Sequence, residues 1–452
     1  MSKQLFNAFD SVSSKQWKQK IQFDLNGADY NNALVWNSNE NISVKPFYHS
    51  DDFKELPDTS NTKATQWKTC ESIFVANAEK SNKRVIDALN GGAESIRLII
   101  PSEDISVENV LKTIDLSSTL IHLKLEFLSP SYVKNLTNIL TNSRVYFDND
   151  IIGNIARTGN WFKDLKDDIS KFDSIFKQTN SFSVDVSLYQ NAGANMVQQL
   201  AYALSHANEY LNLSQNTNQS TNAIFNVSIG TNYFFEIAKL KALRLLWNTL
   251  VSEYKINTDC HIFATPTKRN KTIYDYNTNM LRTTTECMSA ILGGANTVNN
   301  LAYDAIYHKN NEFGDRIARN QLLILKNESY FNKVNNPSDG AYYIESITNQ
   351  LAEKALNLFK NIEANGGFLK QLKDGIIQRK IKESAIKEQE QFNSGEETLL
   401  GTNKHPNPSD KMKVNIDLYP FIKTKQRKTL IEPIIEKRLA ENLEKKRLKN
   451  EH

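Results

Sequence analysis

Short apolar runs alternate with amphipathic stretches along most of this chain. Ser95-Ile96-Arg97-Leu98-Ile99-Ile100 reads as a buried strand. Residues 80–90 before it have helical spacing and end at Gly91-Gly92, a good helix stop. Similar apolar runs follow at 120–127, 144–147, 182–186, 223–229 and 261–264, with weaker candidates at Thr297-Val298 and at 341–344. Strong helical patterns lie between them, notably at 233–254 and 313–326. Such alternation implies βαβ units and a parallel sheet. Eight units over roughly 300 residues predict an α/β fold of the (β/α)8 TIM-barrel type rather than an open sheet.

The flanks read differently. Residues 1–70 place Leu5, Phe6, Phe9, Trp17, Trp36 and the Val44-Lys45-Pro46-Phe47-Tyr48 run in a polar setting, with too little periodicity for a separate core. They are expected to form an extended arm, packed on the same chain or around a partner. Residues 71–392 are expected to be the barrel. Within them, 350–390 are helical with a break at Gly366-Gly367. Residues 393–452 read as a C-terminal loop and then a charged helix after Pro433. The basic end, Glu444-Lys445-Lys446-Arg447-Leu448-Lys449, reads as a solvated helix face, with a partner contact as the sharper alternative.

Composition narrows the class. Hydrophobic residues make up 40% and charged residues 23% of 452, which suits a globular protein and not a disordered one. The net charge of +4 is small and dispersed, so nothing points to nucleic acid. Cys70, Cys260 and Cys287 are odd in number and far apart; they suggest no disulfide framework and a reducing, cytoplasmic setting. No segment looks like a membrane span or a leader. There is no P-loop, HExxH or GxSxG signature, and the seven histidines have no metal-ligand spacing, so no metal is expected. Asp259-Cys260-His261-Ile262-Phe263-Ala264 imitates a DxHxxG cobalamin motif, but its final glycine is Ala264 and its histidine falls inside a predicted strand.

The densest polar signal runs from 274 to 320. Arg282, Glu286, Arg316 and Arg319 are candidates for a structural polar network between neighbouring helices, and Gly293-Gly294 suits a tight turn into the next strand. Lys268, Arg269 and Lys271 fall in a predicted loop after the sixth predicted strand. Active sites of TIM barrels lie on that side.

The same region carries a resemblance. NMLRTTTE at 279–286, LGGAN at 292–296 and RIARNQLLILKNES at 316–329 resemble the barrel domain of the methylmalonyl-CoA mutase family. FEIAKLKALR at 235–244, KVNNP at 333–337, GAYYIE at 340–345, IEANGG at 362–367, GTNK at 401–404 and VKPFY at 44–48 are similar to elements of that family too. In catalytic members, the resemblance implies, the CoA ester lies along the barrel axis and a C-terminal domain supplies adenosylcobalamin. This sequence departs at several places. The family's GYHMQEAGA segment reads VSLYQNAGA here, so the histidine position is Leu188. The tyrosine expected before the first strand and the TIQND element are absent, and the Arg-Thr-Ser triplet reads Thr265-Pro266-Thr267. The sequence stops at His452, without the roughly 100 further residues a cobalamin domain needs.

The resemblance therefore implies the small, non-catalytic subunit of a heterodimeric mutase. No catalytic residue is expected on this chain, and adenosylcobalamin and most of the acyl-CoA substrate would be bound by a large partner subunit. Trp17, Trp36 and Phe47 are candidate anchors toward that partner. The alternative is the substrate-binding barrel of a split acyl-CoA mutase that borrows a separate cobalamin-binding chain. Lys268, Arg269 and Lys271 would then contact CoA phosphates.

Overall fold

Eight parallel strands close around one axis. The computed structural model describes residues 8–57, 60, 62–141, 143–213, 221–256, 258–423 and 427–451. The strands are β1 (Lys68–Phe74), β2 (Ser95–Ile100), β3 (Leu120–Leu125), β4 (Arg144–Asp148), β5 (Ser181–Asp185), β6 (Thr221–Ile229), β7 (Thr258–Pro266) and β8 (Thr297–Asn299). Their order, β4-β3-β2-β1-β8-β7-β6-β5, is that of a (β/α)8 barrel cut open between β4 and β5. There the Ser183 amide donates to the Asn149 carbonyl just beyond β4 (3.0 Å), bringing the two edges together. The main apolar core lies between the barrel and its helices.

The first strand escaped the sequence reading because its polar residues break the apolar run. Ser72 faces the barrel mouth, and Glu71 pairs with Arg319 on the helix Glu312–Asn327 (2.6 Å). Conversely, the weak strand candidate at 341–344 opens the helix Tyr342–Ala364. Ile344, Ile347, Leu351 and Ala355 recur there at helical spacing and are buried. The loop bearing Lys268 accordingly follows the seventh strand, not the sixth.

The arm is more helical than its sequence suggests. Ser13 and Gln16 form a capping box that starts the helix Ser14–Asp24, none of whose residues is buried. A short ribbon, Trp36–Asn37 against Ser43–Val44, then docks on the barrel. Trp36 meets Phe235 edge-on (5.6 Å), and Ile42 is fully buried. Trp17 packs against Phe47 (6.4 Å) and is half exposed. Leu5, Phe6 and His452 lie outside the described residues.

At the other end, helix begins only at Glu441 and runs to Lys449. The residues before it form an extended strap across the C-terminal face of the barrel. Leu430 and Ile431 donate to the Gly159 carbonyl, Ile434 to Ala156, Lys437 to Asn191 and Leu439 to Arg269. Gly159 is needed there: its φ is +78°, and a Cβ would stand 2.7 Å from the Ile431 carbonyl oxygen. Backbone pairing with the barrel replaces helical bonds, so the predicted helix starts late. Nor is the final helix simply solvated. Glu444 is buried and paired with Arg438 (2.7 Å), and Arg447 lies 3.8 Å from the centre of the Tyr274 ring.

One ion pair in the barrel wall is fully enclosed. Lys271 and Glu286 meet at 2.7 Å with side chains 1% exposed, and Asn270 adds a donor to the carboxylate (2.6 Å). Removing one partner strands a buried charge, whereas replacing both leaves none. Glu286→Ala should lower unfolding free energy by roughly 3–5 kcal/mol, and Lys271→Met with Glu286→Leu by clearly less. Urea denaturation of the purified variants measures both.

Candidate functional site

Inward positions recur at every second residue along the strands of a barrel. Here they carry polar and aromatic side chains in two tiers. The lower tier contains His122 of β3, Tyr146 of β4, and His261 and Phe263 of β7. The Tyr146 and His261 rings lie 4.0 Å apart between centroids, His122 and Phe263 4.8 Å, and His122 and His261 5.3 Å. These rings come from opposite walls, so side chains fill the axis at this level. Both imidazoles reach the Thr297 hydroxyl of β8, at 3.5 and 3.2 Å. Burial disfavours their charged forms. It brings His261 from 6.5 down to about 3, with Arg244 adding to the effect, and holds His122 well below its ordinary range.

Charges dominate the upper tier. Arg97 of β2 stacks on Phe263 (4.5 Å) and pairs with Asp148 at the end of β4. Asp185 at the end of β5 takes Arg157 (2.5 Å) and Lys124 of β3 (3.5 Å), and Ser187 donates to it as well. Burial alone would raise the Asp185 carboxyl. The charges of Arg157 and Lys124, helped by the Ser187 hydroxyl, overcome burial and hold it far below the usual carboxylate range. Behind it, Asp150 receives the Asp185 amide (2.8 Å), the Gly153 amide (2.7 Å), the Tyr210 hydroxyl (2.7 Å) and His206 (2.9 Å). Above these pairs lies a cavity of about 580 Å³, bordered on the outer side by Lys268 and by Glu436 of the strap.

The residues singled out in the sequence fall in several places. Leu188 is fully buried in the short helix Ser187–Asn191 that follows β5. Lys268 faces the mouth. Arg269 is buried against Glu388 (2.5 Å) and the Lys437 carbonyl (2.7 Å), and Lys271 belongs to the enclosed pair with Glu286. Arg282 bonds Thr272, Asn279 and the Leu400 carbonyl, one helical turn from Glu286. Arg319 reaches Glu71 elsewhere, and Arg316 is exposed beside Phe313 (5.8 Å). The four proposed network residues thus divide among separate contacts. Sequence reasoning passed over Arg97, Lys124, Asp148, Arg157 and Asp185. The signal was present at Arg97, His122 and Lys124: polar residues at alternate positions inside strands otherwise apolar.

These features define a (β/α)8 barrel with an occupied axis and a charged, strap-bordered mouth. A family profile described as "Methylmalonyl-CoA mutase" matches residues 145–449. A Porphyromonas gingivalis protein named "Methylmalonyl-CoA mutase small subunit" is 34% identical, over 89% of this chain and 71% of its own length. A Cereibacter sphaeroides "Methylmalonyl-CoA mutase" is 29% identical over 86% of this chain, which spans 64% of that protein. A Mycobacterium bovis "Probable methylmalonyl-CoA mutase large subunit" is 31% identical over 51% of this chain and 32% of its own length. The chain belongs to the methylmalonyl-CoA mutase family.

That family implies cobalamin, so the cobalt-ligand imitation at His261 can be tested on geometry. Its imidazole lies within β7, is 6% exposed, lies tilted against the Tyr146 ring and is within hydrogen-bond reach of Thr297. A histidine so enclosed does not fit as a ligand to a large macrocycle.

The buried imidazoles make stability depend on pH. The folded pKa of His261 lies below its unfolded value, so its contribution is complete above about 6.5 and drains away as pH falls toward 3. Between pH 7 and pH 5 the protein should lose about 2 kcal/mol through this group. His261→Phe should cut the loss over that interval by about the same amount, read from denaturant midpoints at the two pH values.

Proposed function

We propose that this chain is the small, non-catalytic subunit of a heterodimeric adenosylcobalamin-dependent methylmalonyl-CoA mutase. Interconversion of methylmalonyl-CoA and succinyl-CoA is carried by the large subunit, in the cytoplasm. The observation that carries this reading is the occupied axis. In catalytic relatives the CoA ester is expected along that axis, where this chain packs His122, Tyr146, His261 and Phe263. Leu188, buried at the position of the family histidine, cannot donate a hydrogen bond to a thioester carbonyl. Arg269 and Lys271, spent on internal carboxylates, are poorly placed for CoA phosphates; Lys268 at the mouth is better placed.

The arm supports the partner side of the proposal. Phe9 and Phe23 are each 77% exposed and Trp17 is 49% exposed, in and beside a helix none of whose residues is buried. Apolar surface of this kind suits a partner interface. Adenosylcobalamin is assigned to the large subunit.

The test is conversion of methylmalonyl-CoA with adenosylcobalamin, by this chain alone and after adding a candidate large subunit. No turnover alone, with activity in a stable 1:1 complex, is expected. Leu188→His should leave the isolated chain inactive, since the axis stays filled. Turnover by the unmodified chain alone would overturn the proposal and favour the split-mutase reading.

A further inference from the structure

The mouth cavity has a feature that the supporting-subunit reading neither uses nor requires. Six buried side-chain atoms of residues that line it have no hydrogen-bond partner among the described residues: Arg97 Nε, Asp148 Oδ1, Asn149 Nδ2, Ser183 Oγ, Asn226 Oδ1 and Asn299 Oδ1. Asn149, Ser183, Asn226 and Asn299 are 7%, 1%, 5% and 6% exposed, and the Asp148 side chain is 4% exposed. Buried polar atoms are rarely left unpaired, because each has given up water without recovering a bond. The residues that carry them come from β2, β5, β6, β8 and the end of β4, and all border this one space. At about 580 Å³, that space is within the range of small-molecule sites.

The chemistry of the ring narrows its occupant. Arg97, Asn149 and Ser183 offer donors, whereas Asp148, Asn226 and Asn299 offer acceptors. A ligand carboxylate or phosphate can only accept, and would face the free Asp148 oxygen. Nor does the wall carry excess positive charge: four cations, Arg97, Lys124, Arg157 and Lys268, are set against five carboxylates. Arg97 is already neutralised by Asp148, and Lys124 and Arg157 share Asp185. Hydroxyl groups both donate and accept without bringing charge. We infer that the barrel mouth is a binding site for a small, uncharged, polyhydroxylated molecule of the monosaccharide or polyol class.

The full chain would be titrated with D-glucose, D-ribose and myo-inositol, with succinate as the charged comparison, by calorimetry and ligand-observed NMR. Saturable binding of at least one polyol, without saturable binding of succinate, is expected. Asn299→Leu and Ser183→Ala should each weaken that binding about tenfold, the cost of one lost hydrogen bond. Neither removes a bond the protein makes to these atoms, so both should melt no lower than the parent when no polyol is present. Saturable succinate binding would overturn the proposal in favour of an anion site. Binding of none of the probes would overturn it in favour of a cavity filled only by water. Either failure leaves the supporting-subunit reading untouched, since that reading is decided by turnover.

Discussion

A carboxylate at the end of the fifth barrel strand has to be paired where it stands, and much of the upper barrel is arranged around that requirement. Asp185 is reached by Arg157 from the helix Ile151–Thr158 and by Lys124 from β3. Its own amide is taken by Asp150, the residue that caps that same helix through Gly153. Asp150 in turn engages Tyr210 and His206 on the helix Met196–Leu213. The β4–β5 seam, where no strand ladder forms, is thus spanned by charge-assisted bonds. Such bonds are strong when enclosed, and each becomes a liability if one partner is lost.

Much of the barrel was legible because its helices and most of its strands bury continuous apolar faces. β1 was not legible: Glu71 and Ser72 face an arginine and the mouth, which leaves no apolar run to read. The strap hid for a related reason. Pro433 and the charges after it suggest a helix, but the segment's hydrogen bonds go to Gly159, Ala156, Asn191 and Arg269, partners far away in sequence. The candidate site was harder still. Lys268, Arg269 and Lys271 look alike as neighbouring cations in a loop, yet two are buried against carboxylates more than ten residues distant. Proximity in sequence says little about which charge a barrel will enclose.

The two tiers of the axis answer different physical demands. In the lower tier, rings remove solvent from the centre, and imidazoles can be used because burial keeps them neutral and Thr297 serves both. Neutral, packed against other rings and each within reach of the Thr297 hydroxyl, they fill space much as apolar side chains would. The upper tier begins where Arg97 lies on Phe263. From there outward, charges balance each other while atoms of several amides and a hydroxyl find no partner among the described residues. A wall meant only to be filled would place apolar residues at those positions, as the lower tier places rings, because unpaired polar atoms weaken a fold. Polar residues persist around the mouth at that cost, and one ring atom beneath them, His122 Nδ1, shares it among the described residues. What differs, a few residues along the same strands, is that rings from opposite walls close the axis below while paired charges above leave a cavity of about 580 Å³.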